Sequence, residues 1–338
     1  VRVTIKEVAE KAGVSIATVS RVLNESTLVQ DETREIVKRV ARDLRYSPNI
    51  AARNLSRSRT ETIGILLPDL YGEFFSEVIR GMDITARQNK YHLIISSSHN
   101  SKAEIEAALR TMSGRVDGLI IMSPYIDTSA LYANLPGALP VVLLNCHVDG
   151  NNVDAMNIDN YKGAHAVVTH LASHGHKRIA IIKGTEKNID ALERLRGYQD
   201  AIKASHAEYS ASYEFQGDFT EASAYKAAIK ILNTTPQPTA IFASNDAMAI
   251  GALSALRAHN ISVPGDIALA GFDDIPIATY ITPSLTTVRV RISDLGALAV
   301  KRLLEAVHAK KEYVNYRTVL DTEVIARESC GCPVMHND

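Results

Sequence analysis

Apolar positions in the first 45 residues recur at intervals of three and four, whereas from residue 63 onward they gather into short unbroken runs. Ile5, Val8, Ala9 and Ala12 share one helical face. Thr4 and Glu7 supply a capping-box pattern at its start, and Gly13 stands where a left-handed residue ends such a helix. Ser15 can cap a second short helix reaching about Asn24, with Val19, Val22 and Leu23 toward a core. A third helix is predicted over roughly 31–45, with Ile36, Val37, Val40 and Leu44 on one side. Two short helices about a glycine turn, closed by a third, form a helix-turn-helix unit.

Beyond it the pattern predicts strands over 63–67, 92–96, 116–122 and 141–144, with helices over 74–88 and 102–112 between them. A second series has strands over 178–182, 239–243 and 267–270, and helices over 161–174, 191–205, 221–232 and 246–259. Strands that are apolar throughout belong to parallel sheets covered on both faces. Two such series in tandem imply two lobes with a cleft between them. The fold class is an α/β body of two Rossmann-like lobes behind an all-α helix-turn-helix head.

Composition narrows the function. Of 338 residues, 46% are hydrophobic and 22% charged, which excludes disorder. No apolar run is long enough to span a membrane, and no basic patch feeds an apolar run at the start. Cys146, Cys330 and Cys332 cannot make a disulfide framework, so a reducing, cytoplasmic setting is expected. Residues 1–60 carry 12 Lys+Arg against 7 Asp+Glu, while the remainder carries 25 against 31. A basic head on an acidic body points to a nucleic-acid module. Its candidate DNA contacts are Thr4, Ser15, Ile16, Ala17, Thr18, Ser20, Arg21 and Asn24, the inventory of a helix N-terminus set into a major groove. The segment 47–60 is rich in Arg and Ser and too short for an isolated helix. There Ala52 and Leu55 give an apolar edge beside Arg53, a pattern that suits minor-groove insertion; a plain interdomain linker fits the composition equally.

Open sheets bind ligands just past their strand ends. The residues there are Asp69, Phe74, Phe75, Ser123 and Asn145 in the first series. In the second they are Asn188, Asp190, Arg194, Phe219, Asn245, Asp246, Asp273 and Asp274. Amides, carboxylates, one arginine and aromatic rings suit a polyhydroxylated ligand such as a sugar, and a nucleoside or purine meets the same groups. Asn245 with Asp246 reads equally as a helix cap, and Asp273 with Asp274 as turn formers. Nucleophile elbow, phosphate loop, zinc-protease helix and dinucleotide fingerprint are all absent, so neither enzyme activity nor a cofactor is expected. Asp273 with Asp246 is the one carboxylate pair a catalytic reading could use. His170, His174 and His176 straddle a helix end, and Cys330 with Cys332 offers two ligands without a second pair, so no metal site is expected.

The run from Val3 to Asn24 is highly specific. With Thr33-Arg34, Leu44 to Pro48, Ala51 to Leu55, Ile63 to Ile65, Pro68-Asp69, Gly175 to Ile179, Arg194 to Tyr198, Ser244 to Asp246, Val263-Pro264, Gly271 to Asp274, Leu285 to Thr287 and Arg327 to Ser329, it resembles the LacI/GalR family of bacterial transcription regulators along essentially the whole chain. The resemblance implies a body like the periplasmic sugar-binding proteins, through which the chain crosses between lobes three times. It implies a DNA-binding domain over 1–46, a hinge helix or linker over 47–60, an effector-binding and dimerisation body over 61–330 and a tail over 331–338. Lobe one would take about 61–158 plus 291–318, and lobe two about 159–290 plus 319–330.

By the same resemblance Ile16 and Ala17 select the operator, Arg21 shares their reading helix, and Leu55 levers open the centre of a palindrome. Phe75 would stack on the effector, and Asn188, Asp190, Arg194, Phe219, Asn245 and Asp273 would line its pocket. Asn145 stands where an effector-contacting aspartate sits. Three departures stand out. Leu70 to Phe75 lacks the Asn-Pro often found before the aromatic pair, Gln30 replaces the Ser or Thr that caps the third helix, and no apolar heptads follow Pro333. The last favours a homodimer over a tetramer. The expected function is allosteric repression of carbohydrate-utilisation genes, with release from a near-palindromic operator by a sugar-like effector. The alternatives are a corepressor-dependent or global carbon regulator answering to a nucleobase, sugar phosphate or partner protein, and a transport-type binding protein, against which the basic head argues.

Overall fold

The computed structural model describes residues 3–23, 28–46, 59–125, 139–146, 154–309 and 314–332. The chain divides into two compact units, Val1–Thr60 and Glu61–Asp338.

In the head, α1 (Ile5–Ala12), α2 (Ile16–Leu23) and α3 (Asp31–Asp43) enclose Val8, Ala9, Val19, Val22, Val37 and Ala41. The capping box of α1 is complete: Thr4 N donates to Glu7 Oε2 at 2.6 Å, and Glu7 N donates to Thr4 Oγ1 at 3.4 Å. Gly13 adopts φ 65° and ends the helix, a conformation that favours glycine. Gln30 gives α3 no side-chain cap. Arg34 holds that turn instead, donating to Asp31 Oδ1 and to the Val29 carbonyl, each at 3.1 Å. α3 stops two residues short of the predicted end because Arg45, at φ 51°, turns the chain away.

The body begins with β1 (Thr62–Leu67), α4 (Glu73–Gln88), β2 (His92–Ser97), α5 (Lys102–Met112), β3 (Gly118–Met122), β4 (Val141–Leu144) and β5 (Asp154–Ile158). A second run follows: α6 (Asn160–Ser173), β6 (Ile179–Lys183), α7 (Ile189–Ala204), β7 (Glu214–Gln216), α8 (Glu221–Leu232), β8 (Ala240–Ala243), α9 (Asp246–Ala258) and β9 (Ala268–Ala270). β10 (Thr287–Arg289), α10 (Ile292–His308), β11 (Arg317–Leu320) and β12 (Glu323–Ile325) complete it. Among the described residues one parallel sheet runs β11-β5-β4-β3-β1-β2 and a second β7-β6-β8-β9, while β10 and β12 form an antiparallel ribbon.

β3 and β4 are buried along their whole length, as strands between two helical layers must be. β5 and β11 escape the apolar-run criterion for a physical reason. β5 carries Asp154, whose carboxylate accepts from Tyr316 N at 2.6 Å and so pins the start of β11, and β11 is an edge strand with alternating exposure. The chain passes between lobes after β5, after β10 and after β11. α10 thereby returns to the first lobe and packs on α4.

That crossing is glycine-dependent. A Cβ on Gly81 would lie 1.9 Å from the Ser293 carbonyl oxygen, and one on Gly296 would lie 2.2 Å from the Val78 carbonyl oxygen. Neither oxygen is free to swing aside. Gly296→Ala is expected to destabilise the body by about 1–3 kcal/mol through overpacking, read as a lower urea midpoint. An unchanged midpoint would show that the two helices part without cost.

Candidate functional site

The head presents one face of α2. Ser15 caps that helix, its Oγ accepting from Thr18 N at 3.1 Å and lying 2.9 Å from Thr18 Oγ1. Ile16 (44% exposed), Ala17 and Arg21 are exposed, while Thr18 and Ser20 are half-buried. Thr4 is engaged by Glu7 through both its amide and its hydroxyl. Asn24, Ala52, Arg53 and Leu55 lie outside the described residues.

Between the lobes of the body is a cavity of about 430 Å³. Asp69, Phe74, Phe75, Asn145, Asn188, Asp190, Arg194, Phe219, Asn245 and Asp273 all line it. Phe74 and Phe75 meet edge to face with ring centroids 5.5 Å apart. Phe219 enters from the other lobe at φ 70°, over Gly184, where a Cβ would meet its ring at 2.2 Å.

Arg194, only 5% exposed, organises the floor. It donates to Asn160 Oδ1 at 2.8 Å, to the Ser244 carbonyl and to Asp273 Oδ1 at 3.3 Å, and lies 3.8 Å over the Phe272 ring. Asn160 in turn donates to Asp190 Oδ1 at 2.9 Å. Asn188 caps α7 through its Oδ1, accepting from Ala191 N at 3.0 Å. Asn145 Oδ1 is buried with no hydrogen-bond partner. Burial raises the Asp273 carboxyl to about 6 even though Arg194 pulls it down; desolvation outweighs the ion pair here.

Two expectations, for Asp246 and Asp274, need correction, while Asn245 meets both of its readings. Asp246 is not on the cavity wall. Its carboxylate is fully buried beneath, accepting from Thr287 Oγ1 at 2.5 Å and Ile275 N at 2.9 Å. Burial, then the neighbouring Asp273, pushes its pKa well above the usual carboxylate range. Asp274 is held by Arg289 at 2.7 Å and Arg327 at 2.6 Å, away from this cavity. Asn245 reaches the wall but serves as the α9 cap, accepting from Met248 N at 2.9 Å and donating to the Phe219 carbonyl at 3.2 Å.

Sequence reasoning missed Glu73, Tyr125 and Asn160. Glu73 and Tyr125 line the cavity and join the lobes across its mouth. Glu73 Oε2 accepts from Ile277 N at 3.1 Å, and Tyr125 Oη lies 2.8 Å from Thr185 Oγ1. Tyr125 follows a strand end by three residues, a signal the strand-end rule could have used.

Residues 4–49 match the bacterial regulatory proteins of the lacI family, and residues 168–330 match a periplasmic binding protein-like domain. The chain is 34% identical to catabolite control protein A of Priestia megaterium over 96% of each chain. It superposes on the transcriptional regulator CelR–cellobiose complex with a TM-score of 0.73 at 31% identity, covering 97% of this chain and 100% of that one. Against the lac repressor dimer bound to operator and the anti-inducer ONPF the TM-score is 0.83 at 28% identity, over 98% and 99%. The chain belongs to the lacI family: it is a DNA-binding transcription regulator with a periplasmic-binding-protein-like body, and not an enzyme.

Asp273 sets a pH dependence. Its folded pKa of about 6 lies above the roughly 3.9 of an unfolded aspartate. The folded state therefore holds the proton more tightly, and the stability this group contributes is fully present below about pH 4 and lost as pH rises through 6. Relative to Asp273→Asn, the wild-type melting temperature should fall across that window. Parallel pH profiles would mean that the carboxyl titrates alike in the folded and unfolded states.

Proposed function

From that membership we propose that the protein is a homodimeric repressor of carbohydrate-utilisation genes, released from a near-palindromic operator when a sugar-like effector fills the cavity between the lobes. The observation that carries the ligand class is the unpartnered Asn145 Oδ1 on a wall that also presents Arg194, Asp273 and Asn188. A buried acceptor without a donor costs roughly 1–3 kcal/mol, and a ligand hydroxyl removes that cost. Vicinal hydroxyls can donate to Asn145 and Asp273 and accept from Arg194, while Phe74, Phe75 and Phe219 cover apolar ring faces. Cellobiose in the CelR complex supports this class.

The head reads bases with the exposed start of α2. Ile16 and Ala17 meet base edges, and Arg21 pairs with a guanine in the major groove. Asn24, Ala52, Arg53 and Leu55 complete the DNA contacts, with Leu55 at the palindrome's centre in the minor groove. Two heads in a dimer take successive major grooves about one helical turn apart. Effector and operator then act through one lobe arrangement, so each must change the other's affinity by the same factor.

Titration against palindromic operators at fixed salt, with a panel of sugars and nucleobases, tests this reading. One palindrome selected and then released by one sugar supports it; release by a nucleobase alone, or tighter binding with any sugar, refutes it. Arg21→Ala should weaken specific binding by about 1–3 kcal/mol while sparing scrambled DNA; equal losses would make it a phosphate contact. Asp273→Ala should retain operator affinity and lose the effector response, and a folded variant that no longer binds operator would remove Asp273 from that role.

A further inference from the structure

Away from the cavity, the C-terminal end of α6 meets the 3-10 turn Glu328–Cys330, where His170 converges with Cys330 and Cys332 and His174 reaches Cys332. His170 Nε2 lies 3.4 Å from Cys330 Sγ and 3.6 Å from Cys332 Sγ, and His174 Nε2 lies 3.0 Å from Cys332 Sγ. The ligand atoms of His170, Cys330 and Cys332 all fall within 4.8 Å of one another. The thiols therefore have the second ligand pair that their sequence neighbourhood lacks.

Local structure explains the convergence. His170 and His174 stand four apart on one helix, so their rings share a face, with centroids 4.5 Å apart. Gly331, at φ 84°, folds the Cys-Gly-Cys segment back so that both sulfurs meet that face. His174 Nδ1 lies 2.8 Å from the His170 carbonyl oxygen, so Nδ1–H donates there and the Nε2 lone pair is left toward the thiols. Metal-binding histidines are oriented by just such a contact. In a tetrahedral zinc site, with Zn–N about 2.0 Å and Zn–S about 2.3 Å, the N···S edge is about 3.5 Å. Three of the six edges are measured and bracket that length; His174, outside the group whose ligand atoms all lie within 4.8 Å of one another, closes the shell by turning its ring inward.

We propose that His170, His174, Cys330 and Cys332 form a closed, four-coordinate Zn²⁺ site. Two thiolates neutralise the dication, and two neutral imidazoles complete the shell. With four protein ligands no position is left for water or substrate, so the site is structural. Cys330 is buried and His174 exposed, which gives the ion a wall and an entry. The ion would join the first helix of the second lobe to the turn that closes it. That turn is already seated on the lobe, since Ser329 Oγ donates to the Leu269 carbonyl at 2.6 Å and accepts from Thr286 N at 2.8 Å.

The test uses the full chain, reduced and stripped of metal with a chelator. Zn²⁺ competed against a chromophoric chelator should bind at one per chain and raise the melting temperature. Co²⁺ should give thiolate charge-transfer absorption and the intense visible bands of tetrahedral coordination. Cys330→Ser with Cys332→Ser should abolish both signals, and His174→Ala, a change at an exposed residue, should weaken binding roughly tenfold or more. A wild-type protein that takes up no stoichiometric Zn²⁺, or an octahedral Co²⁺ spectrum without charge transfer, overturns the proposal. So does undiminished binding in the double-serine or His174 variant. The wild-type Co²⁺ spectrum decides the matter even if the serine variant does not fold.

Discussion

The buried guanidinium of Arg194 is the constraint around which the second lobe is arranged. A desolvated charge of this kind is tolerated only when its donors are met. Three of its N–H donors are met from three separate places: Asn160 at the start of α6, the Ser244 carbonyl just past β8, and Asp273 just past β9. Phe272 supplies the face on which the guanidinium lies. Each partner is thereby held at a strand end, and together they form the cavity floor. Asp273 is held at φ 111°, a conformation unfavourable for a residue with a side chain and worth about 1–3 kcal/mol of strain. Its backbone is fixed on both sides, donating to the Val288 carbonyl at 2.8 Å and accepting from Val290 N at 3.3 Å.

Two aspartates of this lobe share a region and divide its labour. Asp246 has both carboxylate oxygens occupied by Thr287 and Ile275, so it anchors the loop that carries Asp273 and has nothing left to offer a ligand. Gly271 is part of the same arrangement, since a Cβ there would lie 2.1 Å from Asp246 Oδ1. The carboxylate pair that a catalytic reading would require is thus one cavity-facing group resting on one structural group.

How much of this was legible in the sequence follows from where the free energy resides. Long apolar runs mark β1, β3, β4, β6 and β8 to within two residues because full burial leaves no room for polar positions. β7, β10 and β12 are three-residue strands, and such pairings carry no composition of their own. Asn160 was invisible because it follows β5, a strand whose polar Asp154 and Asn157 hide it; a rule that looks past strand ends cannot act at a strand it does not see. Asp246 shows the converse error, a polar residue at the right place in the chain with its side chain turned inward. The two imidazoles and two thiols are separated by about 160 residues, and the three crossings between lobes bring the last described turn back to α6.

The cavity's mouth shows what an effector can change. A ligand shifts an equilibrium only through contacts that differ between the states. Glu73 with Ile277 and Tyr125 with Thr185 join the lobes across the mouth, and Glu73 is exposed to water. A neutral hydrogen bond such as Tyr125 with Thr185 contributes about 0.5–1.5 kcal/mol, and one to a carboxylate such as Glu73 about 1.5–3 kcal/mol before solvent screening. Phe74 and Phe75 stand on one side of the cleft, while Phe219, Arg194 and Asp273 stand on the other. A molecule that touches both sets would favour the arrangement that brings them together, through contacts that differ between arrangements. The residues that would recognise a ligand here thus stand on both lobes, and the span between the two sets, as much as the polar groups themselves, limits which ligand can touch both.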